Sequence, residues 1–462
     1  MTMKHIAIGA LLAVISAVNH ANATDLLQAW QAAQTNEREL AVARAAHASA
    51  DPQRRQADAL WRPGVGVTAA AGWGRGESAM RNAQFSAPGL GTSTGVAFGT
   101  SITSGTATRV ALQASQPLYN PERRAQQQQL NLQADMGELQ WQAAQQAAML
   151  RTSQRYLDLA VAQEALRVVG SQLDAVQKAA TEAQDRYQLG AAPITAVHEA
   201  RAQQAQLLAQ RLAAQTDLDI KRRALADATG LPQASLQPRL PANQPPLGTQ
   251  QGLEALALWQ ERAAANNPGL RQLQLAADMA RAEADKHRAG AAPKVDLVAQ
   301  AEQQRLSGHG DYGSGALNRQ TNAMLGVQLT VPLYTGGWRS AKEEESLAKW
   351  DQAMAQLDAT REEVARQVHA TWQGIQAGAL RVQALQDALT AVQARQDATR
   401  TGYEVGHRTL LDVLNADNAS AATVLALAQA RSDLLIHRLQ LAQLAGQLDE
   451  AALSQANQAL AP

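Results

Sequence analysis

The sequence predicts a mixed α and β membrane protein, built as an internal tandem repeat with four β-strands per chain and very long helices. Three observations predict this class. The same landmarks occur twice in the same order, each copy holds two alternating runs of about ten residues, and heptad seams continue far beyond ordinary helix lengths.

The chain opens on a secretory signal. Lys4 supplies a positive start, Ile6 to Val18 a short apolar run, and Ala21-Asn22-Ala23 a small-residue cleavage site, so residues 1–23 read as a signal peptide and the mature chain as starting at Thr24. A membrane anchor needs a run of about 20 apolar residues, which this stretch does not reach. No other segment approaches that length, which excludes a helical inner-membrane protein. An exported chain with no cysteine is periplasmic, outer-membrane or secreted, and it holds neither disulfides nor a lipid anchor on an N-terminal Cys.

Composition narrows the class further. The 41 basic and 41 acidic residues balance, which gives no electrostatic case for nucleic acid. Aromatics make up only 3%, with two Phe and six Tyr, while Ala, Gln and Leu recur throughout. Ala buries little area, so this composition suits long helices packed closely side by side rather than a filled globule.

The repeat is read from its landmarks. Leu40 and Pro63 recur as Leu270 and Pro293 at one offset. Pro117-Leu118-Tyr119 recurs as Pro332-Leu333-Tyr334, and Tyr187-Gln188-Leu189-Gly190 as Tyr403-Glu404-Val405-Gly406, at a slightly shorter one. The shortening falls between the prolines, where a loop of variable length belongs. The copies occupy residues 24–230 and 249–450, joined by a Pro-rich connector at 231–248 and followed by a tail at 451–462.

Within each copy the order is helix, strand pair, long helix, tight turn, helix. The first strand pair spans about 64–116, with alternating runs at Val65–Gly74 and Thr106–Gln116 and a Gly/Ser/Thr-rich stretch at 86–105 that reads as an exposed loop. The second spans about 294–332. Val295, Leu297, Ala299 and Ala301 alternate with Asp296, Val298, Gln300 and Glu302, and Leu325, Val327, Leu329, Val331 and Leu333 alternate with Gly326, Gln328, Thr330 and Pro332. The stretch from Gly308 to Gly313 reads as the second external loop. Ten residues suffice for a tilted strand to cross a bilayer, although the same pattern fits the half-buried edge of a soluble sheet.

The helices separate these readings. From Glu122 to about Leu189 only Gly137 and Gly170 interrupt good helix formers, and Leu159, Ala162, Leu166, Val169, Leu173, Val176, Ala180, Ala183 and Tyr187 keep 3,4 spacing. Ile375, Gly378, Val382, Leu385, Leu389 and Val392 keep the same rhythm toward Tyr403, and Leu427, Leu434, Leu441 and Leu448 repeat every seven. A helix of ~68 residues is about 100 Å long, which makes a rod or a tube. Four strands cannot close a barrel, and open edges are not tolerated in hydrocarbon, so several chains must share one. The sequence alone does not set their number.

Gly402-Tyr403-Glu404-Val405-Gly406-His407-Arg408-Thr409-Leu410-Leu411-Asp412-Val413-Leu414-Asn415-Ala416 resembles the tip signature of the TolC family of outer-membrane efflux and type I secretion channels. The duplicated layout and the Pro-Leu-Tyr sites resemble it as well, over essentially the whole mature chain. The resemblance implies a homotrimer in the cell outer membrane, with a 12-stranded β-barrel open outward, continuous with an α-helical barrel closed at its periplasmic tip. It also implies a periplasmic adaptor (membrane fusion) protein and an inner-membrane transporter as partners, with no enzymatic activity and no cofactor. The Gly-x-Arg-Thr-x-x-Asp-Val-Leu form is more similar to the type I secretion branch than to the lipidated multidrug branch. Protein export through an ABC transporter, of cargo such as an RTX-type toxin, is therefore favoured over multidrug efflux. A periplasmic coiled-coil adaptor or structural stalk is a remote alternative, disfavoured by the lack of a lipoyl-like module and by the duplicated hairpins.

Gly190 and Gly406 suit the left-handed position that stops a helix, and Thr409 can cap the next one. The resemblance implies that Tyr403 and Arg408, with Thr195, form a network holding the entrance shut. It implies also that Asp412 and Asn415 project into the lumen as stacked selectivity rings. Two departures stand out. The family often has carboxylates where Ala196 and Asn415 stand here, so the Tyr403 link lacks its usual acceptor, one ring is uncharged, and a weaker cation block is expected. Without the family, Thr409 and Asp412 read simply as a capping box. Gly72-Trp73-Gly74-Arg75-Gly76 lacks the context of a nucleotide fingerprint, the nine His are scattered, and Gln126–Gln129 reads as a solvated helix face.

Overall fold

The computed structural model describes residues 24–241, 253–310 and 313–460. The expected signal peptide, most of the connector and the last two residues of the tail lie outside them. Three short helices come first, α1 (Leu26–Asn36), α2 (Arg38–His47) and α3 (Ala50–Ala59), then strands β1 (Gly64–Ala87) and β2 (Gly91–Tyr119). Helices α4 (Pro121–Gln188) and α5 (Ile194–Thr229) complete the first copy. The second repeats this order with α6 (Leu256–Asn266), α7 (Pro268–Ala289), β3 (Lys294–Gly310), β4 (Gly313–Thr330), α8 (Trp338–Glu404) and α9 (Leu410–Leu444), and α10 (Glu450–Gln458) follows. The chain divides into two compact units.

The first unit, residues 24–46, 139–271 and 359–460 of the described chain, is helical. Much of the seams expected from the heptads is core, with Leu159, Leu173, Val176, Ile375, Val382, Leu427, Leu434 and Leu441 buried, whereas Leu166, Leu385, Leu389 and Val392 are half-buried and Tyr187 is exposed. Gly374 and Gly378 of α8 face His437 and Leu434 of α9, where a Cβ on either would make ordinary van der Waals contact at 3.4 Å. Around Trp30 and Tyr156 a larger cluster gathers α1, α4, α5, α9 and α10. Asp25 opens α1 with a capping box to Gln28. The Tyr156 hydroxyl donates to the Thr24 carbonyl and accepts from the Arg239 amide, each at 3.0 Å, tying the start of the first copy and the connector to α4. Burial pushes that phenol up to about 12.

The second unit, residues 47–138 and 272–358, holds the sheet. Its strands run antiparallel in the order β1-β2-β3-β4, so β1 and β4 are both open edges. The register separates two faces. Val65, Val67 and Ala69 stand opposite Ala114, Leu112 and Val110, and Ala299 and Leu297 stand opposite Leu325 and Val327. These aliphatic side chains are exposed: Val65 at 69%, Val67 at 67%, Leu325 at 74% and Val327 at 65%. The other face carries Thr68, Arg109, Gln113, Gln300, Glu302, Gln304, Gln320 and Asn322. There Arg109 forks onto Glu302 at 2.8 and 2.9 Å.

Two expectations about loops are corrected. Residues 86–105 are not a loop. Apart from a turn between Ala87 and Gly91, they continue the hairpin, which runs 24 residues along β1 and 29 along β2. Their Gly, Ser and Thr reflect exposure on both faces, where no apolar alternation is needed to mark a strand. Likewise Gly308 to Gly310 belong to β3 and Gly313 to β4, with residues 311–312 outside the described chain. At the other end, β4 stops at Thr330, two residues before Pro332, which has no N–H for a ladder.

Candidate gate at the helix turns

The turn from α4 to α5 and the turn from α8 to α9 close their first helices in the same way. Gly190 and Gly406 stand at φ +72° and +79°. The Ala191 amide donates to the Arg186 carbonyl at 2.7 Å, and the His407 amide to the Gly402 carbonyl at 2.8 Å. The Gly190 and Gly406 amides reach Tyr187 and Tyr403 at 2.9 and 3.0 Å. This is the hydrogen-bond pattern that closes a helix through a left-handed glycine. The helices that follow begin differently. Pro193 stands before α5 without a side-chain cap, whereas Thr409 caps α9, its hydroxyl accepting from the Asp412 amide at 3.2 Å.

Below the turns lies a compact apolar cluster. Leu173, Val176 and Ala183 of α4 pack with Val197, Ala200 and Leu207 of α5 and Leu410 and Leu414 of α9, and Tyr403 of α8 leans on it. A polar rung lies farther along: the Asn418 side-chain Oδ1 accepts from the Gln172 side chain at 3.0 Å and the Gln203 side chain at 3.2 Å, joining α9 to α4 and α5. Beside it Asp417 accepts from Gln396 at 2.7 Å, with Arg400 at 3.7 Å.

Tyr403 is half-buried, and its neighbour is one that sequence reading missed. The Arg186 guanidinium lies 5.0 Å from the ring centroid and pairs with Glu182 at 2.7 Å. Burial, with Glu182 adding and Arg186 opposing, raises the Tyr403 phenol above its ordinary value. A signal existed in the repeat. Glu182 and Arg186 stand where the second copy has Ala398 and Gly402, so this charged pair breaks the duplication.

Thr195 and Arg408 are exposed, and among the described residues neither makes a hydrogen bond or ion pair to Tyr403. Arg408 instead lies over Gly402, whose Cβ, if present, would be 2.8 Å from its Cγ. Ala196 is half-buried and offers no acceptor side chain.

Asp412 is held by its own cap. One carboxylate oxygen accepts from the Thr409 amide at 3.0 Å and the Thr409 hydroxyl at 2.9 Å. These bonds hold its pKa below the usual carboxylate range, with Arg408 adding a smaller contribution. Asn415, three residues on and exposed, has no side-chain hydrogen bond among the described residues. No cluster of His, Asp or Glu that could hold a metal ion occurs among the described residues.

Comparison with known proteins fits this arrangement. The chain is 29% identical to the outer membrane protein TolC of Escherichia coli over 77% of its own length and 72% of that protein's. It is 26% identical to the alkaline protease secretion protein AprF of Pseudomonas aeruginosa, over 74% of this chain and 70% of the relative. The crystal structure of the outer membrane protein VceC from Vibrio cholerae superposes with a TM-score of 0.70 at 19% identity, covering 92% of this chain and 96% of that one, a likeness of fold. The family model described as outer membrane efflux protein matches residues 29–231 and 259–447, one segment on each copy of the repeat. This chain therefore belongs to the outer membrane efflux protein family, and it is an outer-membrane channel protein.

Proposed function

We propose that three copies of this chain form one duct through which an ABC-type transporter, coupled by a periplasmic adaptor, exports a protein. The carrying observation is the sheet, with an aliphatic face, a polar face and two open edges within one chain. Unpaired backbone is not tolerated in lipid, so β1 of one copy needs β4 of the next. Three copies give twelve strands, within the range of closed barrels, with the aliphatic face in hydrocarbon and the Arg109–Glu302 face lining water. From Val65 to Trp73 the aliphatic band runs about 26 Å along the strand at ~3.3 Å per residue, close to the roughly 9–11 residues that a tilted strand needs to cross a bilayer. Trp73 at one rim and Tyr119 at the other, 79% and 50% exposed, suit the two interfaces.

The helix turns make the gate. In it Tyr403 and Arg186 bridge α8 to α4 within a copy, while exposed Arg408 and Thr195 are free to meet the neighbouring copy. Asp412 supplies one charged ring and Asn415 one uncharged ring facing the lumen. Protein cargo is favoured because AprF is by its name a protease secretion protein. The test compares culture medium and drug susceptibility of cells with and without this chain. Loss of a secreted protein at unchanged drug tolerance is expected. Increased drug sensitivity with an intact secretome would instead assign the duct to multidrug efflux.

A further inference from the structure

The hairpin β1–β2 outgrows the sheet. The outermost pair joining β2 to β3 is Ile102 with Gly310, yet β1 and β2 stay paired from Glu77–Ser101 out to Ala87–Gly91. Residues 77–87 and 91–101 therefore form a two-stranded ribbon with both edges open, about 36 Å long at ~3.3 Å per residue. A lone ribbon of this kind is marginal in water. Its only charges are Glu77 and Arg81, and it carries both phenylalanines of the chain. Phe85 and Phe98 contact each other at 5.6 Å between centroids. Even so, they are 42% and 44% exposed, Met80 is 62% exposed, and Leu90 at the turn 83%.

The ribbon is bent toward the polar face. The β1–β2 register slips between Gly74 and Gly76, and the β2–β3 register slips between Ile102 and Ser104. Leu306 pairs with Ala107, which pairs with Gly72, so it stands on the same face as Arg109 and Glu302. It reaches across β2 to Gly76, where a Cβ would lie only 2.8 Å from its Cδ2. Ile102 is buried at the same bend.

We infer that the ribbons of three copies fold over the outer mouth of the barrel and pack tip to tip, so that the partner of the Phe85–Phe98–Leu90 surface is a second copy of this chain. The inference rests on the twelve-stranded barrel proposed above. Such a barrel has a radius of about 12 Å from ~4.8 Å strand spacing and ~40° tilt, so a 36 Å ribbon bent inward reaches the axis with length to spare. Copies of the open β1 edge run from the barrel seam into the ribbon, and the ribbon's single Glu and single Arg leave it neutral toward its own kind. The mouth, expected to be open from the family resemblance, is on this reading covered.

The chain has no cysteine, so Leu90→Cys introduces a single thiol. Mild oxidation on intact cells should link most of the Leu90→Cys protein into disulfide dimers. Ser314→Cys, in the shorter hairpin on the barrel wall about 20 Å from its equivalents, should not cross-link. In a Leu90→Cys background, Phe85→Ala with Phe98→Ala should lower the dimer yield severalfold. Heat-labile trimers without Leu90→Cys dimers, or equal yields from both thiols, would overturn the lid and leave the barrel standing. Absence of trimers would overturn both.

Discussion

At Tyr403 the ring face, not the hydroxyl, makes the contact seen within the chain, and its partner Arg186 is fixed by Glu182 one turn earlier. A cation over a half-exposed ring contributes about 1 kcal/mol, a factor of roughly five in a two-state gate. Arg186→Ala should therefore raise open probability in planar-bilayer recordings about fivefold, whereas Tyr403→Phe, which keeps the ring, should stay near the parent. Opening by Tyr403→Phe alone would show that the hydroxyl carries the latch. Asp412 behaves differently. Its lowered pKa means that the cap's contribution is present above the ordinary aspartate value and lost as pH falls through the depressed one, so the Asp412 carboxylate keeps its charge at pH 5. Glycines and the Thr409 cap were legible because backbone geometry selects those residue types directly. Arg186 was not, because a ring contact leaves no fixed spacing in sequence.

Among the elements, the first long helix was legible almost to the residue. The run from Glu122 to about Leu189 is α4, Pro121–Gln188, because 3,4 spacing persists as long as a seam must be filled. The hairpins were legible only where one face is apolar. Beyond that band the alternation vanishes, and a Gly/Ser/Thr-rich strand looks the same as a loop. Two of those glycines do structural work. Gly105 and Gly308 are cross-strand partners, and a Cβ on Gly308 would lie 2.0 Å from the Ser104 carbonyl oxygen. Gly308→Ala should separate β2 from β3 there and destabilise by about 1–3 kcal/mol, lowering the temperature at which assemblies come apart. Gly326→Ala, in β4 with open space around its Cβ position, should leave that temperature within a degree or two.

For the whole molecule, the duplication, the neutral charge and the absence of cysteine were sufficient to place the chain outside the usual globular classes. The number of copies was not readable, because one chain shows only that its sheet has two unfinished edges. Protein extracted from outer membranes in mild detergent is expected to migrate at about three times the mass of one chain and to fall to single chains on boiling. A stable single chain in the unboiled sample would refute shared closure.

The unfinished sheet has a consequence for how the molecule is made. Helices such as α4 close their bonds locally and can form while a newly exported chain is still alone. The strands cannot, because the donors and acceptors along β1 and β4 have no mate in their own polypeptide. A solitary chain thus carries an exposed aliphatic face and two templates for misassociation. In the proposed three-copy duct, barrel closure and oligomer formation coincide, so its rate should rise with the concentration of unassembled chains.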